Sequence, residues 1–156
     1  MNSDNVLERI QTHYGISRRF LHLYLQYIMR SKIDESEDEA FLGQVLEDPV
    51  KSMWFTYAMT TNLRGLRLSN MLRPFYPAGA CRYLDIGCAY GGFLVGFARQ
   101  RFEVTGIEID PLLVEIGKTN LADNHISGQI LEGDALDPSL VSRLGVFDII
   151  TCNDVI

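Results

Sequence analysis

The chain has 156 residues, 47% of them hydrophobic and 22% charged, with a formal net charge of −6. That composition belongs to a folded polypeptide with a core and excludes a largely disordered one, and the length allows one domain with a small helical appendage but not two full domains. Residues 1–75 balance nine Lys and Arg against nine Asp and Glu, whereas residues 76–156 carry five against eleven, so the second half is unsuited to a broad electrostatic nucleic-acid surface.

The chain opens without a basic-then-apolar leader, and its most apolar stretch, Phe20 to Met29, is too short for a membrane span and is interrupted by His22 and Gln26. The expectation is a soluble, cytoplasmic protein. Cys81, Cys88 and Cys152 show no C-x-x-C spacing and read as reduced, small buried thiols. No metal site is expected, because His13, His22 and His125 supply no matching ligand spacing.

Residues 1–75 read as helical. A first helix is predicted over Val6–His13, capped by Asp4 or Ser3 and ended by Gly15, and a second from Ser17 to about Ser31. The apolar residues of the second lie on nearly every face, so it needs cover, most simply by neighbouring helices. Asp34 to Glu39 is an acidic run read as a solvated linker or exposed helix start, with no binding role. After a brief helix near Ala40–Leu46, Asp48-Pro49 begins what the three- and four-residue spacing of Val50, Met53, Trp54, Tyr57, Ala58, Thr61, Leu68 and Leu72 predicts as one long amphipathic helix to about Leu72. Pro74 to Gly79 then breaks the helix and marks the boundary between a 1–75 helical region and an 80–156 domain.

Strands and helices alternate after that boundary. Strands are predicted over Arg82–Ile86, Phe102–Ile109, Gly128–Leu131 and Val146–Cys152, with helices to about Gln100, over Pro111–Ala122 and near Pro138–Leu144. This spacing means an α/β fold, a parallel sheet with right-handed crossovers. The turn after the first strand carries Gly87, Gly91 and Gly92, which permit a tight bend and close backbone approach at the sheet edge where open α/β folds bind ligands. By itself, Gly87-Cys88-Ala89-Tyr90-Gly91-Gly92 also matches a degenerate dinucleotide loop, and a purely structural turn stays open as well. Asp85, at the strand tip, suits a cationic group and opposes an anionic one. Glu108, 23 positions later, stands where doubly wound folds place an acid for ribose hydroxyls.

Asp85-Ile86-Gly87-Cys88-Ala89-Tyr90-Gly91 resembles the first motif of the class I S-adenosylmethionine-dependent methyltransferases, with Ala89 in place of the middle glycine. Glu132-Gly133-Asp134-Ala135 resembles the segment after their third strand, and Phe147 to Ile156 resembles their fourth strand. The resemblance implies a Rossmann-like sheet of order 3-2-1-4, S-adenosyl-L-methionine as cofactor and S-adenosyl-L-homocysteine as product. It implies cofactor contacts from Asp85, Gly87, Cys88, Ala89, Gly91, Glu108, Ile109, Asp134, Ala135 and Asn153, with Asp134 accepting from the adenine amino group.

It also implies that helices before the first strand cover the cofactor, which would place Trp54, Tyr57 and Arg64 near a substrate. Asn153 does not begin the N-P-P-Y form used on amino groups of adenine or glutamine, so a small-molecule acceptor is expected over nucleic acid. Methyl transfer asks chiefly for alignment in a dry pocket, and no catalytic base is named; Tyr90, His125 and Asp154 qualify by position only.

The resemblance covers four of the family's seven strands. The expectation is therefore a fragment of a longer enzyme or a sheet completed by dimerisation through the strand-four edge or the N-terminal helices. The competing functions are an NAD-linked oxidoreductase half, opposed by Asp85 and Gly133-Asp134, and a cofactor-binding or interaction module without catalysis.

Overall fold

The computed structural model describes residues 4–76 and 81–153, and in it the chain falls into two compact units, Met1–Thr60 and Thr61–Ile156. Ser3, the tip of the Pro74–Gly79 break and the Asp154-Val155-Ile156 ending lie outside the described residues.

The first unit is helical: α1 (Asp4–Tyr14), α2 (Arg18–Met29), α3 (Asp38–Glu47) and α4 (Pro49–Met59). Gly15, at φ 64°, ends α1, and the Ser17 side chain caps α2 by accepting from the Phe20 amide at 3.0 Å. Phe20, Leu21, Tyr24 and Leu25 of α2 are buried, so this helix has one inward face despite its apolar circumference. Asp34 to Glu37 form the exposed helix start that the acidic run suggested, and Asp38 departs from it. Asp34 and Glu37 form a reciprocal capping box, and Asp38 is fully buried with its carboxylate 2.7 Å from His22 Nδ1. A buried carboxylate needs a polar partner, and one helical turn of sequence cannot reveal that His22, sixteen residues earlier, supplies it.

The predicted long helix is two helices, α4 and α5 (Thr61–Leu72), separated at Thr60. Thr60 bends out of helical geometry, and its hydroxyl donates to the carbonyls of Thr56 at 2.8 Å and Tyr57 at 3.2 Å. The residues that suggested one apolar stripe are partly turned outward, with Val50, Met53 and Trp54 exposed. What α5 buries is small: Thr61, Asn62, Gly65 and Ser69.

The second unit therefore begins with α5. Its four strands, β1 (Arg82–Ile86), β2 (Glu103–Glu108), β3 (Gln129–Glu132) and β4 (Ile149–Cys152), form an all-parallel sheet of order β3-β2-β1-β4. Helices α6 (Gly92–Arg99), α7 (Pro111–Asp123) and the single turn α8 (Pro138–Val141) make the crossovers. Asp110 and Asp137 cap α7 and α8, each followed by proline at the first helical position.

One face of the sheet carries the larger core, in which Tyr83 stacks on Phe97 at 3.6 Å and Phe97 meets Phe102 edge to face at 5.2 Å. The other face carries a smaller cluster of Leu84, Ile107 and Leu140. The α5 and α6 backbones approach closely: a Cβ on Gly65 would meet Phe93 Cα at 2.6 Å, and one on Gly96 would meet Gly65 backbone atoms. Ser69 closes the contact by donating to the Gly96 carbonyl at 3.0 Å. No helix among the described residues is long and apolar enough to cross a membrane.

Candidate functional site

Parallel pairing places the ends of β1, β2 and β3 along one edge of the sheet, and the loop of residues 87–91 turns there. Gly87, at φ 70°, lets the chain reverse, and the amides of Gly87 and Cys88 both donate to the Ile107 carbonyl, at 2.8 and 3.0 Å. Gly91, at φ 69°, starts α6. The Asn120 side chain of α7 holds the Tyr90 carbonyl at 2.8 Å while forming a reciprocal amide pair with Asn62 at 3.0 and 2.8 Å. Gly117 lets α7 lie against the loop, since a Cβ there would sit 2.8 Å from the Ala89 carbonyl oxygen.

Ala89 has φ 43°. Alanine at this position is therefore a matter of backbone conformation, because the left-handed region costs a residue with a Cβ about 1–2 kcal/mol. The loop is secured at this point by Glu108, whose Oε2 accepts from the Ala89 amide at 2.9 Å. Its Oε1 accepts from the amides of Ile109 at 2.8 Å and Asp110 at 3.0 Å. Glu108 is thus buried with three backbone donors on its two oxygens, which fixes its carboxylate beside the loop.

Asp85 is 2% exposed. Burial pushes its carboxyl up to about 6, the Thr151 hydroxyl and, beyond it, the Tyr83 hydroxyl pull it down, and the nearby Glu108 charge adds to the rise. None of these groups is a cation. The neighbouring Cys88 is buried under Gly106, and burial, with the charges of Asp85 and Glu108, raises its thiol far above the ordinary range, so it is no thiolate nucleophile.

The remaining sequence-predicted residues are spread along the same edge. Gly133 donates to the Glu108 carbonyl at 3.0 Å, and Asp134, exposed, uses Oδ1 to accept from the Leu136 amide at 2.8 Å in a local turn. Ala135 packs partly on the smaller core cluster, while Ile109 is exposed. Asn153, just past β4, is exposed, as is Cys152, which corrects the expectation that all three cysteines are buried. A thiol ending an edge strand has no second layer to cover it.

Sequence reading missed Thr151, Tyr83, Asn62 and Asn120. The alternation of β1 puts Tyr83 and Asp85 on one face and was available as a signal. Thr151 depends on strand register and the asparagine pair on helix packing, neither of which local sequence displays.

Residues 84–156 match the family described as Methyltransferase domain. The chain is similar to the tRNA1(Val) (adenine(37)-N6)-methyltransferase of Porphyromonas gingivalis, 42% identical over 86 residues that make up 49% of this chain and 33% of the relative. It is also similar to the magnesium-protoporphyrin O-methyltransferase of Rhodobacter capsulatus, 34% identical over 76 residues, covering 47% of this chain and 32% of the relative. The chain thus spans about a third of the length of these curated relatives. Among solved structures, the fold is similar to that of an O-methyltransferase from Bacillus cereus in complex with SAH, with TM-score 0.50, 21% identity, and coverage of 58% of this chain and 44% of that one.

Proposed function

We propose that this chain, whose residues 84–156 match the methyltransferase domain family, is part of a class I S-adenosylmethionine-dependent methyltransferase and holds the cofactor at the loop edge of its sheet. The observation that carries the reading is Asp85: a buried carboxylate, pushed up to about 6 by burial, with no cation among the described residues that act on it. A buried anion without a counter-charge is disfavoured, and an ammonium or sulfonium ligand supplies the missing charge. The residues present therefore fit the cofactor.

In this reading Asp85 takes the cationic end, Glu108 the ribose hydroxyls and Asp134 the adenine amino group. Gly87, Cys88, Ala89 and Gly91 provide the close backbone wall, and Ile109, Ala135 and Asn153 complete the lining. Glu108 can serve the ribose because a carboxylate has about four acceptor sites, of which the backbone amides take three. S-adenosylmethionine supplies an electrophilic methyl group. The chain contributes binding, orientation and exclusion of water.

For the acceptor we favour a small molecule. The excess of acid in residues 76–156 supports that choice against a polyanion, and so does the departure of Asn153 from the N-P-P-Y form. The relative named for a tRNA adenine argues the other way, so transfer RNA belongs in the acceptor panel.

The test is calorimetric titration of the chain with S-adenosylhomocysteine, with NAD as the parallel ligand. Saturable binding of the first alone is expected. Glu108→Ala and Asp85→Ala should each weaken it by about 1.5–3 kcal/mol, the scale of a hydrogen bond to a charged group. Unchanged affinity in both variants would remove the assignment.

A further inference from the structure

Tyr83 and Asp85 are alternate residues of β1, so their side chains leave the sheet on one face. In the parallel register of β1 with β4, Thr151 stands opposite Asp85. The Thr151 hydroxyl donates to Asp85 Oδ1 at 2.6 Å, and its oxygen lies 2.6 Å from the Tyr83 hydroxyl. An ionised carboxylate only accepts, and a threonine hydroxyl has one proton. That proton is committed to Asp85, so Tyr83 must donate to Thr151. Tyr83 is itself fully buried and held by its stack on Phe97, which fixes where its hydroxyl oxygen sits.

We propose that Thr151 and Tyr83 are positioning residues that orient Asp85 and hold it as the anion that captures the cationic end of the ligand. This rests on the cofactor site assigned above. The relay is charge-assisted at its Asp85 end, where hydrogen bonds are shortest and strongest. It also keeps one carboxylate oxygen engaged inside the sheet, so Asp85 presents a fixed rather than a rotating acceptor.

The groups facing Asp85 are few. Tyr83 comes from its own strand, Cys88 from the loop, Glu108 from β2 and the non-titrating Thr151 from β4. Helix α6 packs on this face through Phe97, and its charged residue, Arg99, is exposed and bonded to Asn124. Burial raises the tyrosine and the cysteine beyond the working range, so both stay neutral.

The test uses the full chain with 13C-labelled aspartate carboxyls. NMR titration without ligand should place the native Asp85 midpoint near 6. Thr151→Val should raise it by about one pH unit, Thr151→Ser should restore it, and Tyr83→Phe should raise it by a smaller amount. Calorimetry with S-adenosylhomocysteine should follow the ionised fraction: Thr151→Val weakens binding about threefold near pH 6.5 and about eightfold near pH 5.5, and the loss fades by about pH 8.5.

An unmoved midpoint in a folded Thr151→Val chain overturns the relay. Should that variant not fold, an unmoved midpoint in Tyr83→Phe overturns it independently. A midpoint that moves while affinity falls equally at every pH overturns the link from relay to capture. A native chain that binds no S-adenosylhomocysteine at any pH removes the site reading, and this proposal with it, even where the midpoints move.

Discussion

Asp85→Asn is expected to make the ligand-free protein more stable at neutral pH while weakening cofactor binding by about 1.5–3 kcal/mol. Burial moves the Asp85 carboxyl from the ordinary 3.8 to about 6. At about 1.36 kcal/mol for each pH unit, that rise is a cost of about 3 kcal/mol for carrying the anion in the folded state. The sign follows from proton occupancy. Below about pH 4 both the folded and unfolded chains hold the proton, and Asp85 contributes no pH dependence. Between about 4 and 6 the folded chain holds a proton that the unfolded chain has released, so stability falls as pH rises. Above about 6 the full cost is present.

Asparagine has the same shape and an oxygen for the Thr151 hydroxyl but does not titrate. The stability difference between the variant and the native chain should therefore grow by roughly 2–2.5 kcal/mol from pH 4 to pH 7 and then level off. Urea unfolding across that range, followed by near-ultraviolet signals from Tyr83 and its neighbours, reads the difference directly. At one fixed concentration, S-adenosylhomocysteine should stabilise the native chain more than the variant. A difference that stays flat across the range would refute the claim that Asp85 is a buried, uncompensated anion.

The close helix crossing makes a second expectation. Gly96→Ala drives a Cβ into the Gly65 backbone and should cost about 1–3 kcal/mol in urea unfolding, whereas Gly43→Ala, with nothing within 4 Å, should gain up to about 1 kcal/mol from helix propensity. Ala89→Gly should stabilise by about 0.5–1 kcal/mol because it relieves a left-handed residue, with thermal unfolding as the readout. Asn120→Ala leaves the Asn62 amide and the Tyr90 carbonyl buried without their partner and should cost about 1–3 kcal/mol, with faster amide exchange in the 87–91 loop.

Much of this protein was legible in order along the chain. The four strands and their crossover helices follow from short apolar runs punctuated by glycine and Asp-Pro caps, because those signals act over a few residues, whereas the sheet order was implied by the family resemblance and not by any local signal. The clustering of Asp85, Glu108 and the glycine loop at one sheet edge follows equally from a parallel sheet, whose strand ends must come together. Other features depend on pairs far apart in sequence. Apolar spacing predicted one helix through Thr60, yet the backbone leaves helical geometry there, and α5 is held by glycine and serine contacts that hydropathy does not register.

Within the exposed acidic run, the burial of Asp38 was hidden because its partner, His22, lies a helix away. The state of Asp85 needed the fold most. The sequence by itself placed an acid at a strand tip, and nothing local states that it is buried, that Thr151 stands opposite it, or that Tyr83 completes the hydrogen-bonded line. Strand register and burial are properties of the packed sheet, and they decide the charge that the site presents.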